Sequence, residues 1–232
     1  MVDFETAFKK PFTDLQKLVI GILLSILPIV NWFARGFAME CSGIGKNKRS
    51  KKMPEWNNWA DYFTKGFFSV IIGLIYALPA LIVFLIGAGS MIGSIIRMVF
   101  KNMIPFAMSG ADNAMMQNLL ADRFMDMIPG LIRFLPFLLF SLLLGLAATY
   151  LVPMAILFYL KKNKLEEAFQ LKKIAKKAFS NDYFLAWILV GLIGAFGGFL
   201  LARIPIIGGA AVSFIMQVIG FTLFGEVYSS KS

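Results

Sequence analysis

The sequence predicts an all-α, polytopic integral membrane protein of about five transmembrane helices, built from two related, parallel halves with cytoplasmic amphipathic helices. Three observations carry this expectation. Of 232 residues, 59% are hydrophobic and only 16% charged, at a mean hydropathy of +0.75. A soluble domain is about 45–50% apolar and about 25% charged, so this chain has too little polar surface to cover a water-soluble globule. Charged residues divide it into five uncharged runs, 18–34, 66–96, 134–160, 183–202 and 204–225. The formal charge of +10 is concentrated in two of the segments between them.

The first run follows a mixed-charge stretch, Met1–Lys17, and has no convincing small-residue cleavage site after it, so it is expected to stay in the mature chain. It has 17 residues, whereas a spanning helix takes about 20. It fits a crossing if Arg35 snorkels. Pro28 also permits a re-entrant hairpin with both ends inside, and both readings stay open. The 66–96 run is too long for one simple span and carries Pro79, Gly87, Gly89 and Gly93, which suggests a kinked span plus an interfacial or second short helix. The run 134–160 is also long, while 183–202 and 204–225 each match one crossing.

Orientation follows from the lysines and arginines. Segments 42–65 and 161–182 each carry net +4, while 100–133 is neutral. The positive-inside rule places both basic segments and the C-terminus in the cytoplasm, with the plasma membrane as the expected location. Within these segments two amphipathic helices are expected, 54–66 and 164–179. In the first, Trp56, Trp59, Phe63 and Phe67 fall on one face and read as a membrane-interface helix. Lys48, Arg49, Lys51 and Lys52, and Lys172, Lys173, Lys176 and Lys177, are the expected contacts to anionic headgroups.

A single membrane domain, 1–232, is expected, with an internal repeat over 15–100 and 134–225. A glycine followed six to eight residues later by a proline recurs at Gly21–Pro28, Gly73–Pro79, Gly145–Pro153 and Gly198–Pro205. The proline spacing is 51 residues in one half and 52 in the other. Each half places a basic stretch and then Asp-Tyr-Phe between its prolines, at Asp61-Tyr62-Phe63 and Asp182-Tyr183-Phe184. Both copies share one orientation, so the repeat is parallel.

The residues Gly36-Phe37, Pro54-Glu55-Trp56-x-x-Trp59-x-Asp61-x-Phe63-x-x-Gly66 and Gly73-Leu74-Ile75-Tyr76-x-Leu78-Pro79 carry a resemblance, joined in the second half by Tyr150-Leu151-x-Pro153, Glu167-Ala168-Phe169-x-Leu171 and Asp182-Tyr183-Phe184. The chain resembles the mainly archaeal membrane-protein family catalogued as domain of unknown function 4013. The 100–130 region matches least, and Phe37 departs from the tyrosine expected there. The resemblance implies a polytopic membrane protein and brings no assigned activity.

Most chemistry is excluded by composition. There is no histidine and one cysteine, Cys41, which removes His-ligated metals, imidazole relays, internal disulfides and thiolate cages. All thirteen acidic residues lie outside the five runs, which argues against a carrier coupled through an intramembrane carboxylate. Asp122 and Asp126 share a helical face with no phosphate loop or nucleophile beside them, so they read as a solvated face. No catalytic, cofactor or metal residue is expected, and topology accounts for the basic segments without nucleic acid. The first functional reading is a non-enzymatic membrane module that self-associates as a homo-oligomer or joins a membrane complex, in contact with anionic headgroups. The alternative is a transport or permeability component for an uncharged or lipidic solute, with a midplane site at the helix breaks Pro28, Pro79, Pro153 and Pro205. A membrane enzyme acting on lipid ranks third.

Overall fold

The computed structural model describes residues 3–44, 51–100, 104, 113–201, 203–204 and 206–230. Lys48, Arg49 and Pro205 lie outside the described residues. Every regular element among those described is helical. Helix α1, Phe4–Lys9, begins where the Thr6 amide donates to Asp3 Oδ1 at 3.0 Å, and a short 3-10 helix, Lys10–Thr13, follows it. Asp14 caps α2, Leu15–Ile26, by accepting from the Lys17 amide at 3.1 Å. That helix stops because the residue before a proline is pushed out of the helical region, and Leu27 is accordingly extended ahead of Pro28. Helix α3, Asn31–Glu40, resumes after the break.

At about 1.5 Å per residue, the 12 residues of α2 cover roughly 18 Å, short of a ~30 Å hydrocarbon core. Four other helices are long and apolar enough to cross a membrane: Trp59–Arg97, Ile128–Lys162, Asn181–Leu201 and Ile207–Ser229. They belong to α4, Trp59–Met98, α5, Asn113–Lys162, α7, Asn181–Leu201, and α8, Ile207–Ser229. Between α5 and α7 lie a 3-10 helix, Leu165–Phe169, and the short α6, Leu171–Ala178.

Two expectations change here. The expected helix over 54–66 is not an element of its own: residues 54–58 are not helical, with a turn at 56–57, and the helix starts at Trp59 and continues through the apolar run. The run 66–96 is likewise one uninterrupted helix, with Pro79 inside α4 and Pro153 inside α5. A proline removes one backbone hydrogen bond, but membrane helices tolerate it because neighbouring groups re-satisfy the freed carbonyl. Of the described prolines expected to break a helix, Pro28 alone sits at a break.

The chain divides into two compact units, one of residues 1–75 and 149–232, the other of Tyr76–Ala148. The first unit is organised around α8, which packs against α1, α2, α3 and α7. Phe214, Val218 and Leu223 of α8 are fully buried. Backbones approach closely enough that only glycine fits at several points, among them Gly36 against the Tyr62 carbonyl, Gly66 against the Trp32 carbonyl and Gly225 against the Ser42 carbonyl. The second unit is a pairing of α4 and α5 segments, in which Phe84 and Phe134 meet edge to face at 5.8 Å and Gly87 faces Phe137. In both units large apolar side chains remain uncovered by protein, among them Leu142 and Leu143 on α5 and Phe196 and Phe199 on α7, the pattern of a lipid-facing surface.

Candidate functional site

Two side-chain clusters in the first unit carry the residues singled out by sequence. The first is an aromatic seam where the chain leads into α4. Trp56 stacks on Phe37 with ring centroids 3.9 Å apart, and its Nε1 donates to the Lys17 carbonyl at 3.4 Å. One and two turns further along, Trp59 meets Phe33 at 5.8 Å and Phe63 meets Phe33 at 5.0 Å. Phe67 meets Trp32 at 5.3 Å. The face expected to lie along the membrane interface therefore closes largely on α3. Each such pair contributes about 0.5–1.5 kcal/mol beyond area burial, enough to hold α3 against the first turns of α4. Trp59 and Phe67 keep part of their surface exposed.

Beneath the seam lies a buried ion cluster that sequence reasoning missed. Lys65 pairs with Glu40 and donates to Asp61 Oδ2 at 2.7 Å, with the Lys65 and Glu40 side chains only 7% and 3% exposed. Nearby, Lys10 Nζ donates to the Cys41 carbonyl at 2.8 Å, which also accepts from Thr222 Oγ1 at 3.4 Å. Burial lowers the pKa of Lys10, an effect partly opposed by the charge of Glu226. The Cys41 thiol is pushed up to about 12 by burial, which keeps it protonated and unreactive. These bonds join the 3-10 helix, the end of α3 and α8. Lys10, Thr222 and Glu226 also line a small cavity of about 220 Å³ with Asp3 and Lys51. Breaking one partner of a buried pair costs about 3–5 kcal/mol, so the cluster pins these segments together.

The second cluster is basic. Lys161 at the end of α5 and Lys173, Lys176 and Lys177 of α6 line an open-sided cavity of about 810 Å³, together with Gly43, Ile44, Phe158 and the end of α8 at Tyr228, Ser229 and Ser230. Helical spacing explains the convergence: positions i, i+3 and i+4 share a face, and these are the offsets of Lys173, Lys176 and Lys177. Ile174 and Ala178 are buried instead. Lys161 Nζ stands 5.5 Å from the Tyr228 ring centroid, a cation–π contact. Lys177 Nζ donates to the Ser230 carbonyl at 3.0 Å, and Lys162 is held by Glu167 Oε1 at 2.6 Å.

The structure thus brings three of the expected headgroup contacts, Lys173, Lys176 and Lys177, to one cavity and adds Lys161 and Tyr228, which sequence reasoning had not assigned to a site. The Lys161-Lys162 pair closing an apolar run was a visible signal; the return of the α8 end beside it was not. Lys51 and Lys52 are exposed, and Lys172 is exposed without lining the cavity. Among the described residues no group of three or more carboxylates or thiols is placed to hold a metal ion.

The family model DUF4013, a protein of unknown function, matches residues 19–225. The chain belongs to the DUF4013 family. Neither a curated protein nor a solved structure matches it. The DUF4013 match includes the aromatic seam, the Lys65–Glu40 pair and the four cavity lysines, whereas α1, Lys10 and the Tyr228–Ser230 wall of the basic cavity fall outside it.

Proposed function

We propose that this DUF4013 protein is a non-enzymatic, multi-pass plasma-membrane module that self-associates or joins a larger membrane complex, with its basic segments and C-terminus in the cytoplasm against anionic headgroups. The observation that carries the reading is the centre of the first unit, where α8 is enclosed by α1, α2, α3 and α7 with Phe214, Val218 and Leu223 fully buried. A helix packed this way is a structural spine, and it leaves the outward surfaces of the bundle for contact. Gly191 and Gly198, seven residues apart on α7, face open space and offer a close approach to a neighbouring helix. Chemical crosslinking and affinity isolation in mild detergent test the reading: a reproducible stoichiometric partner, or a second copy, supports it. A monomer that crosslinks to nothing in native membranes overturns it.

Two parallel halves, with a fifth crossing through 18–38, complete this reading. The pairing of halves is supported by the matched tyrosines, both buried. Tyr62 Oη donates to the Glu55 carbonyl at 2.6 Å, and Tyr183 Oη donates to the Tyr150 carbonyl at 2.5 Å. Each therefore ties the first turn of a long helix to an upstream carbonyl. Orientation is testable because Cys41 is buried and protonated, leaving introduced cysteines as the reactive thiols. Single cysteines at Ser50 and Lys164 should resist a membrane-impermeant maleimide on intact cells, while one at Asn113 reacts. The reverse pattern overturns the orientation.

A second reading, passage of an uncharged solute, is favoured by one observation: Asn31 Oδ1 and Gln217 Oε1 are buried without a hydrogen-bond partner. Buried amides without partners cost about 1–3 kcal/mol each, and a polar solute or water would relieve that. Solute-dependent swelling of proteoliposomes, abolished by Gln217→Leu, supports this alternative.

A further inference from the structure

Four lysines line a single cavity whose described lining residues include no carboxylate. Glu167, on the segment before α6, is engaged by Lys162 at 2.6 Å, and this bond, helped by the charge of Lys173, holds its carboxyl below the ordinary value. Like charges gathered around a void repel one another, and the repulsion is relieved when an anion enters. The volume, about 810 Å³, falls within the ~300–1,000 Å³ typical of small-ligand sites.

Two of the cations are already placed, Lys161 over the Tyr228 ring and Lys177 on the Ser230 carbonyl. Lys173 and Lys176 are exposed. A lysine ammonium brings three donors and a compact charge, which suits an oxyanion with several oxygens and more than one negative charge better than a single carboxylate. The apolar wall from Ile44 and Phe158 would pack the organic part of such a ligand.

We propose that this cavity binds a phosphoryl group, a phosphomonoester or diphosphate presented either by a lipid headgroup or by a soluble phosphate ester. The inference rests on the headgroup-facing basic surface proposed above and deepens it, from a diffuse attraction in which every lysine counts alike to a walled site in which position matters. The two faces of α6 make that distinction. At 3.6 residues per turn, Lys173, Lys176 and Lys177 lie on the side opposite Leu171, Ala175 and Phe179, and Leu171 and Phe179 are exposed. Lys172 lies between the two sides and does not line the cavity, so it is the internal control.

The test uses the full chain in a neutral detergent, with inorganic pyrophosphate as the soluble probe in calorimetry. Phosphatidic acid and phosphatidylglycerol serve as the lipid probes in native mass spectrometry. Saturable, single-site pyrophosphate binding is expected, weakened about tenfold or more by the Lys173→Gln/Lys176→Gln double variant, as loss of charge-assisted hydrogen bonds requires, and unchanged by Lys172→Gln. Displacement of pyrophosphate by phosphatidic acid identifies the lipid headgroup as the source; undisturbed pyrophosphate binding identifies the soluble ester. Absence of saturable binding by pyrophosphate and phosphatidic acid alike overturns the inference, as does equal weakening by Lys172→Gln. In those cases retained phosphatidylglycerol leaves the general basic surface standing, whereas loss of all anionic lipid removes that reading as well. Circular dichroism and elution volume confirm that the variants, which alter exposed positions, are folded.

Discussion

Helices α7 and α8 are close to interchangeable by composition and very different in place. They have 21 and 23 residues and mean hydropathies of 2.3 and 1.9 over their most apolar stretches, yet 6% of that stretch is buried in α7 and 56% in α8. In a bilayer an apolar side chain gains little by exchanging lipid for protein, so hydropathy reports immersion and not burial; close packing decides which helix is enclosed. The glycines record the difference. Gly208 and Gly225 of α8 lie against the Leu201 and Ser42 carbonyls, while Gly191 and Gly198 of α7 meet nothing within 4 Å. A methyl group added at Gly194 or Gly197 of α7 would come into ordinary contact with Met216 or Val212 of α8, so α7 is fastened along one side and open on the other.

The largest effect that would break this comparison is an aromatic truncation on each helix. Phe214→Ala opens a void in the enclosed centre and should cost about 3–5 kcal/mol. Phe199→Ala, at a residue 79% exposed, should stay within about 0.5 kcal/mol. Equilibrium unfolding in detergent measures both, and equal losses would show that α8 is not the spine. A smaller contrast comes from added bulk: Gly225→Leu forces side-chain atoms into the Ser42 carbonyl and should cost about 1–3 kcal/mol or more, read as a lower melting temperature, while Gly198→Leu leaves it unchanged. If Gly198→Leu instead dissociates an oligomer without lowering the melting temperature, the comparison is sharpened, because the open face of α7 is then the contact surface.

The smallest effect concerns how α7 is anchored. Tyr183→Phe removes the hydrogen bond to the Tyr150 carbonyl and should cost about 1 kcal/mol, with the ring's contacts to Tyr150 and Phe224 at 5.1 and 5.2 Å retained. Tyr62→Phe should match it if the two Asp-Tyr-Phe motifs serve one role. Hydrogen exchange of the first turn of each helix would separate a shared role from a coincidence of spelling.

How much was legible in advance varies by residue. Pro28 announced a break because its effect on Leu27 is local; Pro79 and Pro153 did not behave alike because surrounding groups in a membrane bundle decide whether a lost hydrogen bond is tolerated. The amphipathic spacing of Trp56, Trp59, Phe63 and Phe67 was readable, but the partner of that face was not, since Trp32, Phe33 and Phe37 reach it only after the chain doubles back. Lys173, Lys176 and Lys177 were readable as a basic face; their grouping with Lys161 around one cavity required α8 to end beside α6. The Lys65–Glu40 pair, 25 residues apart, left no local signal.

By itself the sequence determined immersion in a membrane, the helical class and family membership, because each depends on composition, short-range spacing or motif. Which helix is central, which aromatic face is covered and which lysines share a cavity were decided only by tertiary structure. Those outcomes depend on backbones approaching where no side chain intervenes, at Gly36 and Gly225, and on chain segments far apart in sequence meeting at one carbonyl, that of Cys41.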